Sequence, residues 1–259
     1  MVKALFFDID GTLVSFETHK IPVSTIEALT LAKKKGIKIY ISTGRPYHLI
    51  NVESIKHLID GYITANGAYN FIGERIISCN SIPLKDVLTV IALADKMDFA
   101  CMVVGDCDFA VYNTNVLVDQ IFRQLLNVSN LQENVPIGPI LEQPILQLTP
   151  IINQEDEVKV MSKLFNCVSN RWHPDFTDIT KKNVDKGNGL ISIITNEGLD
   201  VSETMAFGDG GNDISIIKRA GIGVAMGNAN NYVQSAADYV TDTVDNDGIK
   251  KAFLHFGLI

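Results

Sequence analysis

The side chains best suited to chemistry in this sequence are carboxylates in two short segments. Asp8 and Asp10 lie in Phe7-Asp8-Ile9-Asp10-Gly11-Thr12, and Asp209 and Asp213 in Gly208-Asp209-Gly210-Gly211-Asn212-Asp213. Carboxylates gathered at one point repel one another unless a hard, oxygen-seeking divalent cation binds among them. Such a cluster with Mg2+ suits phosphoryl transfer, in which charge spreads over the equatorial oxygens and has to be neutralised.

Each segment directly follows an apolar run that reads as a buried strand, Lys3-Ala4-Leu5-Phe6-Phe7 and Thr204-Met205-Ala206-Phe207, and each turns through glycine as the run ends. Both sets of carboxylates therefore belong at strand C-terminal ends, which frame the ligand crevice of an open parallel sheet. Asp and Gly are also ordinary turn residues, so either segment alone reads as a polar turn capping a helix.

What separates the two readings is a set of motifs in order down the chain. After Asp8 to Thr12 comes Ile39-Tyr40-Ile41-Ser42-Thr43-Gly44-Arg45, a strand ending in hydroxyl residues. Next is Lys186-Gly187-Asn188-Gly189-Leu190, a lysine ahead of glycine and a helix, and then Gly208 to Asp213. With these motifs, over essentially the whole chain, the sequence resembles the haloacid dehalogenase superfamily of phosphatases. Within it the match is to the Cof-type sugar-phosphate phosphatases with a large inserted C2-type cap.

The resemblance implies a Rossmann-like, doubly wound parallel α/β core with Asp8 as nucleophile and Asp10 as general acid and base. Thr43 would donate its hydroxyl to the transferring phosphoryl group, and Lys186 would neutralise charge between nucleophile and phosphate. Lys181 and Lys182 compete with Lys186 for that role, and Ser42 with Thr43, although the Thr-Gly-Arg pattern matches Thr43 to Arg45. Mg2+ is implied to bind the Asp8 and Asp209 side chains and the Asp10 main-chain carbonyl. Asp213 would hold the metal-bound water network and cap the helix it begins. Around the substrate the resemblance places Gly11, Thr12, Gly44, Arg45, Asn66 and Asn212. Asp10 also points to a phosphatase or a phosphomutase, because the dehalogenase, phosphonatase and P-type ATPase branches lack an aspartate two positions after the nucleophile.

The expected reaction is thus hydrolysis of a small phosphomonoester, a sugar phosphate in first place, through an aspartyl-phosphate. The alternatives are a phosphomutase of the same superfamily, which excludes water, and a non-catalytic phosphosugar-binding protein.

Composition agrees with this expectation. The 259 residues suffice for one large domain or two smaller ones, and 22 basic against 30 acidic side chains give a net charge of −8. No Lys/Arg-rich stripe alternates with aromatics, so no nucleic-acid partner is expected. Cys79, Cys101, Cys107 and Cys167 have neither metal-finger nor dense disulfide spacing and read as small buried or partly buried thiols. The N-terminal apolar run, cut off by Asp8, is too short for a secretory segment, and no stretch approaches a membrane span, so a cytoplasmic enzyme is expected. The pattern does not set an oligomeric state.

The order of elements predicts a core over residues 1–81 and 184–259 interrupted by an α+β cap over 82–183. In the core, Ser24-Thr25-Ile26-Glu27 has capping-box spacing and Gly36 ends the helix, after which a strand from Ile37 to Ser42 returns to the sheet. In the insertion, Ser81-Ile82-Pro83 starts a helix, and the runs Ala100 to Val104 and Phe109 to Tyr112 read as a hairpin. A helix around Val118 to Leu126, a strand near Ile145 to Thr149, a helix around Gln154 to Phe165 and strands near Val168 to Trp172 and Thr177 to Thr180 follow. The insertion is read as about four strands and two or three helices. Specificity is assigned to Asn170-Arg171-Trp172-His173-Pro174-Asp175-Phe176, with Arg171 and Asp175 as substrate-binding residues, because a sugar needs directional polar groups and an aromatic face. The competing reading is a solvated loop with Trp172 packed in the cap core.

Overall fold

The computed structural model describes residues 1–125, 131–133 and 135–259. In chain order the strands are β1 (Ala4–Phe7), β2 (Lys38–Ser42), β3 (Gly61–Thr64), β4 (Tyr69–Ile72), β5 (Arg75–Cys79), β6 (Cys101–Val104) and β7 (Phe109–Tyr112). They continue as β8 (Gln147–Pro150), β9 (Cys167–His173), β10 (Phe176–Lys181), β11 (Thr204–Gly208), β12 (Ile222–Ala225) and β13 (Tyr239–Val240). The chain divides into two compact units, the first Met1–Arg45, Ile50–Ser78 and Asp185–Ile259, the second Pro46–Leu49 and Cys79–Val184.

The first unit is built on an eight-stranded sheet in the order β13-β12-β11-β1-β2-β3-β4-β5. Its strands run parallel from β13 to β3, and β4 turns back antiparallel on β3. All four residues of β1 are buried, and their alternation sends side chains into two different cores. Leu5 and Phe7 pack with Ala28, Leu29 and Ala32 of the helix Val23–Lys34 and with Ile249, Ala252 and Phe253 of the helix Gly248–His255. Ala4 and Phe6 pack on the other side with Leu190, Ile193 and Ile194 of the helix Lys186–Glu197. Burial of each such Leu, Ile or Phe contributes about 1.5–3 kcal/mol, which is why a polar residue appears only where the strand ends. The doubly wound α/β architecture matches the sequence expectation, with β4, antiparallel to β3, and β5 beside it added at the edge of the sheet.

The Ser24 capping box is not formed. The helix starts one residue earlier, at Val23 after Pro22, and no side chain caps it. Ser24 therefore lies inside the first turn and not at its cap, and its Oγ donates to Asp247 Oδ1 (2.5 Å). At the other end Gly36 takes φ +81°, and the chain turns into β2 as expected.

The second unit carries a five-stranded antiparallel sheet ordered β7-β6-β8-β10-β9, and each strand falls on one of the five runs read from the sequence, whose total that reading puts at about four. One face buries Cys101, Val103, Leu148 and Ile179 against Val87, Val90 and Ala94 of the helix Leu84–Met97 and Val160 of the helix Gln154–Met161. On the opposite face Met102, Val104, Phe109 and Val111 meet Val118, Ile121 and Phe122. The predicted helix Val118 to Leu126 is a short α-turn, Val116–Val118, that continues as a π-helical segment, Asp119–Leu125; Leu126 lies outside the described residues. No helix among the described residues is long and apolar enough to cross a membrane.

Candidate active site

Register brings the two carboxylate segments together. β1 pairs with β11 from Ala4↔Thr204 to Phe7↔Phe207, and the Asp8 N–H donates to Phe207 O (3.1 Å), so the chain leaves both strands at one level. Gly11 then turns at φ +80°, and a Cβ there would collide with Asp209 Oδ2. Only glycine satisfies both conditions. Thr12, fully buried, donates its hydroxyl to Asp209 Oδ1 (2.8 Å). Asn228, which sequence reasoning missed, ties this arrangement down. Its Nδ2 donates to Gly11 O (2.8 Å) and Asp209 Oδ2 (3.4 Å), while its Oδ1 accepts from the Val244 N–H (3.0 Å). The available signal was Gly227-Asn228 directly beyond the apolar strand β12, a third strand end on the same edge.

Lys186 is positioned by a helix N-cap. Asp185 accepts from the Asn188 N–H (2.7 Å), which starts the helix at Lys186 and sends that side chain inward. Its Nζ donates to Asp8 Oδ1 (2.6 Å) and Asp213 Oδ1 (2.5 Å), and the residue is completely buried. Asp213 does not cap the helix Ile214–Arg219. Its Oδ2 reaches backwards instead, accepting from the Asp209 N–H (3.0 Å) and the Gly210 N–H (2.9 Å), because that tight loop turns its amides toward the carboxylate. Both Asp213 oxygens are therefore committed, one to the loop and one to the lysine.

Charge is out of balance here. Burial, and then the neighbouring Asp213 carboxylate, push the Asp8 carboxyl well above the usual carboxylate range against the pull of Lys186. Burial and Asp213 also push Asp209 up to about 7, with the Thr12 hydrogen bond opposing. Burial alone would weaken the hold of Lys186 on its proton, but Asp213 and Asp8 more than reverse that, and the lysine stays charged. Asp8, Asp209 and Asp213 each offer an oxygen, all within 4.8 Å of one another. An all-oxygen donor set with excess negative charge fits a hard divalent cation. Asp8 keeps Oδ2 clear of the lysine, and Asp209 Oδ2 carries only the long 3.4 Å contact from Asn228, so these two side chains have an oxygen less engaged than either of Asp213 with which to hold it.

The remaining sequence-predicted residues of this unit assemble nearby. Thr43 Oγ1 accepts from the Arg45 N–H (3.1 Å), which leaves the hydroxyl proton to be donated. Ser42 Oγ, its competitor, is buried with no hydrogen-bond partner. Arg45 holds Asp10 through a two-point ion pair, Nε to Oδ2 and Nη2 to Oδ1, both 2.7 Å. Asn66 sits in the left-handed region at φ +54° and accepts from Asn212 Nδ2 (3.0 Å). Gly44 leaves room for both amides, since a Cβ there would press on the Asn66 side chain.

Arg171 and Asp175 belong to the second unit. The Arg171 guanidinium donates to Glu157, to His173 O (3.0 Å) and Pro174 O (2.7 Å), and to Ile152 O (2.9 Å). It thereby ties the β9–β10 turn to the strand and helix beside it. Asp175 is largely exposed, with its carboxylate 3.9 Å from His173 Nδ1. The Trp172 side chain lies outside the described residues.

Residues 5–253 match the haloacid dehalogenase-like hydrolase family model, and the chain belongs to that family. A solved haloacid dehalogenase subclass IIB sugar phosphatase superposes with a TM-score of 0.94 and 48% identity, each chain covering 100% of the other. A second structure, a phosphatase of the haloalkanoate dehalogenase superfamily from Bacteroides thetaiotaomicron, gives a TM-score of 0.90 and 41% identity over 100% of this chain and 96% of the other. Among curated relatives, the 5-amino-6-(5-phospho-D-ribitylamino)uracil phosphatase of Bacillus subtilis is 29% identical over 99% of this chain and 96% of its own length. The pyridoxal phosphate phosphatase of Escherichia coli is 26% identical over 99% of both chains.

Proposed function

We propose that the protein is a Mg2+-dependent phosphatase that hydrolyses a small phosphomonoester, a sugar phosphate in first place, through an aspartyl-phosphate on Asp8. The observation that carries this reading is the buried Lys186 ammonium held between Asp8 and Asp213 beside Asp209. The names of the relatives, phosphatases all, point the same way.

Asp8 Oδ1 takes the lysine hydrogen bond, so Oδ2 is the oxygen that attacks phosphorus in line with the leaving group. Lys186, the Thr43 hydroxyl and main-chain N–H groups of the turn after Asp8 stabilise the charge on the phosphoryl oxygens. Mg2+ bound by the Asp8 and Asp209 side chains and the Asp10 carbonyl would neutralise the negative charge that opposes an anionic substrate. Asp10 protonates the departing alkoxide and then takes a proton from the water that hydrolyses the aspartyl-phosphate, releasing phosphate and regenerating Asp8. Arg45 holds both Asp10 oxygens, so it has to yield one of them for either proton transfer. The inserted unit, residues 82–183 by the sequence reading, is assigned to the leaving group.

Inorganic phosphate release from p-nitrophenyl phosphate and a panel of phosphorylated sugars, polyols and nucleotides tests this function. Release is expected without any bisphosphate activator, to vanish in excess chelator and to return with Mg2+. Ca2+, with its longer and looser coordination, is expected to bind without supporting efficient turnover. Full activity in chelator would refute the metal-dependent reaction.

Thermal melts give an independent readout. The folded-state pKa of Asp209, about 7, lies above its ordinary 3.8. The folded protein therefore keeps a proton that the unfolded chain releases, and the stability this provides is lost as pH rises through 7. Mg2+ competes with that proton. The rise in Tm on replacing chelator with saturating Mg2+ is thus expected to be larger at pH 8 than at pH 6. An increment that is the same at both pH values would count against the carboxylate site.

A further inference from the structure

The turn that follows β12 is fixed from several directions. The Met226 N–H donates to Gly208 O (3.0 Å), so the chain leaving β12 runs beside the loop that carries Asp209. The Gly227 N–H donates to Asp242 O (3.0 Å), and Gln234 Nε2 donates to Gly227 O (3.3 Å) and Ala229 O (2.8 Å). Asn228 stands in the middle of this turn. It is an exposed residue, yet its side chain contacts three other segments of the first unit.

The orientation of its amide follows from those contacts. Oδ1 accepts from the Val244 N–H (3.0 Å), and a reversed amide would set its NH2 against that donor and its carbonyl against Gly11 O. Nδ2 therefore faces the two carboxylate segments with one proton for Gly11 O (2.8 Å) and one for Asp209 Oδ2 (3.4 Å). From the other side Thr12 Oγ1 donates to Asp209 Oδ1 (2.8 Å). Each oxygen of Asp209 thus faces a side-chain donor, which selects one orientation of the carboxylate. The bond to Gly11 O has full strength, whereas a contact of 3.4 Å steers Oδ2 without competing strongly for it.

We propose that Asn228 is a positioning residue for the divalent cation, steering Asp209 Oδ2 and pinning the Gly11 carbonyl so that the two carboxylate segments are in place before the cation arrives. The proposal rests on the metal-dependent reading above. Asn228 acts through Asp209 and is not itself a ligand, because the amide nitrogen that faces the site has no free lone pair and the carbonyl oxygen is held by Val244. Partners that orient a ligating carboxylate govern affinity for the ion, since without them the carboxylate has to be ordered when the ion binds. A residue that served only to close the loops would act on stability and leave affinity for the ion alone.

Asn228→Ala, compared with Gln234→Leu, separates the two roles. Gln234 holds the same turn, but through the Gly227 and Ala229 carbonyls and not through Gly11 or Asp209. Calorimetric titration with MgCl2 alone is expected to give a Kd about tenfold higher for Asn228→Ala and within about twofold of wild type for Gln234→Leu. The Mg2+ concentration that half-saturates p-nitrophenyl phosphate turnover should rise by the same factor in Asn228→Ala, while kcat at saturating Mg2+ stays within about threefold, because the bound ion then holds the carboxylate itself. Asn228→Leu keeps the outline of the amide and removes only its polar groups. It is expected to match the alanine variant, so the result stands even if the smaller side chain disturbs the turn. A wild-type Kd in both Asn228 variants overturns the proposal. An equal rise in the Asn228 and Gln234 variants overturns it as well, since support of the turn then accounts for the whole effect. Either result with chelator-sensitive wild-type turnover spares the metal-dependent reading, whereas full wild-type turnover in excess chelator removes that reading itself.

Discussion

Asp8→Asn is expected to give a folded protein whose phosphate release falls by about 10^4-fold or more, because an amide oxygen of the same shape is a poor nucleophile and nothing replaces the covalent step. Stability should move the other way. Burial and Asp213 hold the Asp8 carboxyl well above its ordinary range, so its ionised form is a cost to the metal-free fold at neutral and higher pH. The neutral amide removes that cost and can still accept from Lys186 Nζ at the Oδ1 position. Tm in chelator at pH 8 is therefore expected to rise, and its increment on adding Mg2+ to shrink. A phosphate-release assay beside melts with and without Mg2+ checks both parts. Residual turnover above about 1% of wild type, once contaminating phosphatases are excluded, removes Asp8 as the nucleophile. A fall in Tm in chelator contradicts the charge imbalance.

The four motif segments were legible because each stands where a buried apolar strand or helix meets polar loop residues. Sequence alone cannot rank Lys181, Lys182 and Lys186, which are close neighbours in the chain. In the structure Lys186 is completely buried against Asp8 and Asp213, whereas Lys182 is exposed and Lys181 half-buried at the end of β10 in the other unit. Asp213 was read as a helix cap because an aspartate at a helix start is a good one. The loop behind it offered two amide donors, and backward hydrogen bonds won. Asn228 was missed because its partners, Gly11, Asp209 and Val244, come from three separate segments.

Lys186→Met is expected to damage both fold and chemistry, and a second substitution should separate the two. The methionine can follow the buried path of the lysine stem but leaves Asp8 and Asp213 facing each other without the ammonium that lies 2.6 and 2.5 Å from them. Removing one partner of a buried ion pair costs about 3–5 kcal/mol, so a large fall in Tm is expected at pH 8. It should be smaller at acid pH, where the stranded carboxyls take up protons. Adding Asp213→Asn removes one stranded charge, and the Asn carbonyl can still accept from the Asp209 and Gly210 N–H groups. The double variant should recover much of the lost Tm. Activity should not return with it. Nothing would then neutralise the phosphoryl oxygens from the lysine side, and kcat is expected to remain about 10^2- to 10^3-fold or more below wild type in both variants. If activity recovers in step with stability, Lys186 serves only to hold two carboxylates apart, and stabilisation of the transferring phosphoryl group must be reassigned to the remaining groups around Asp8.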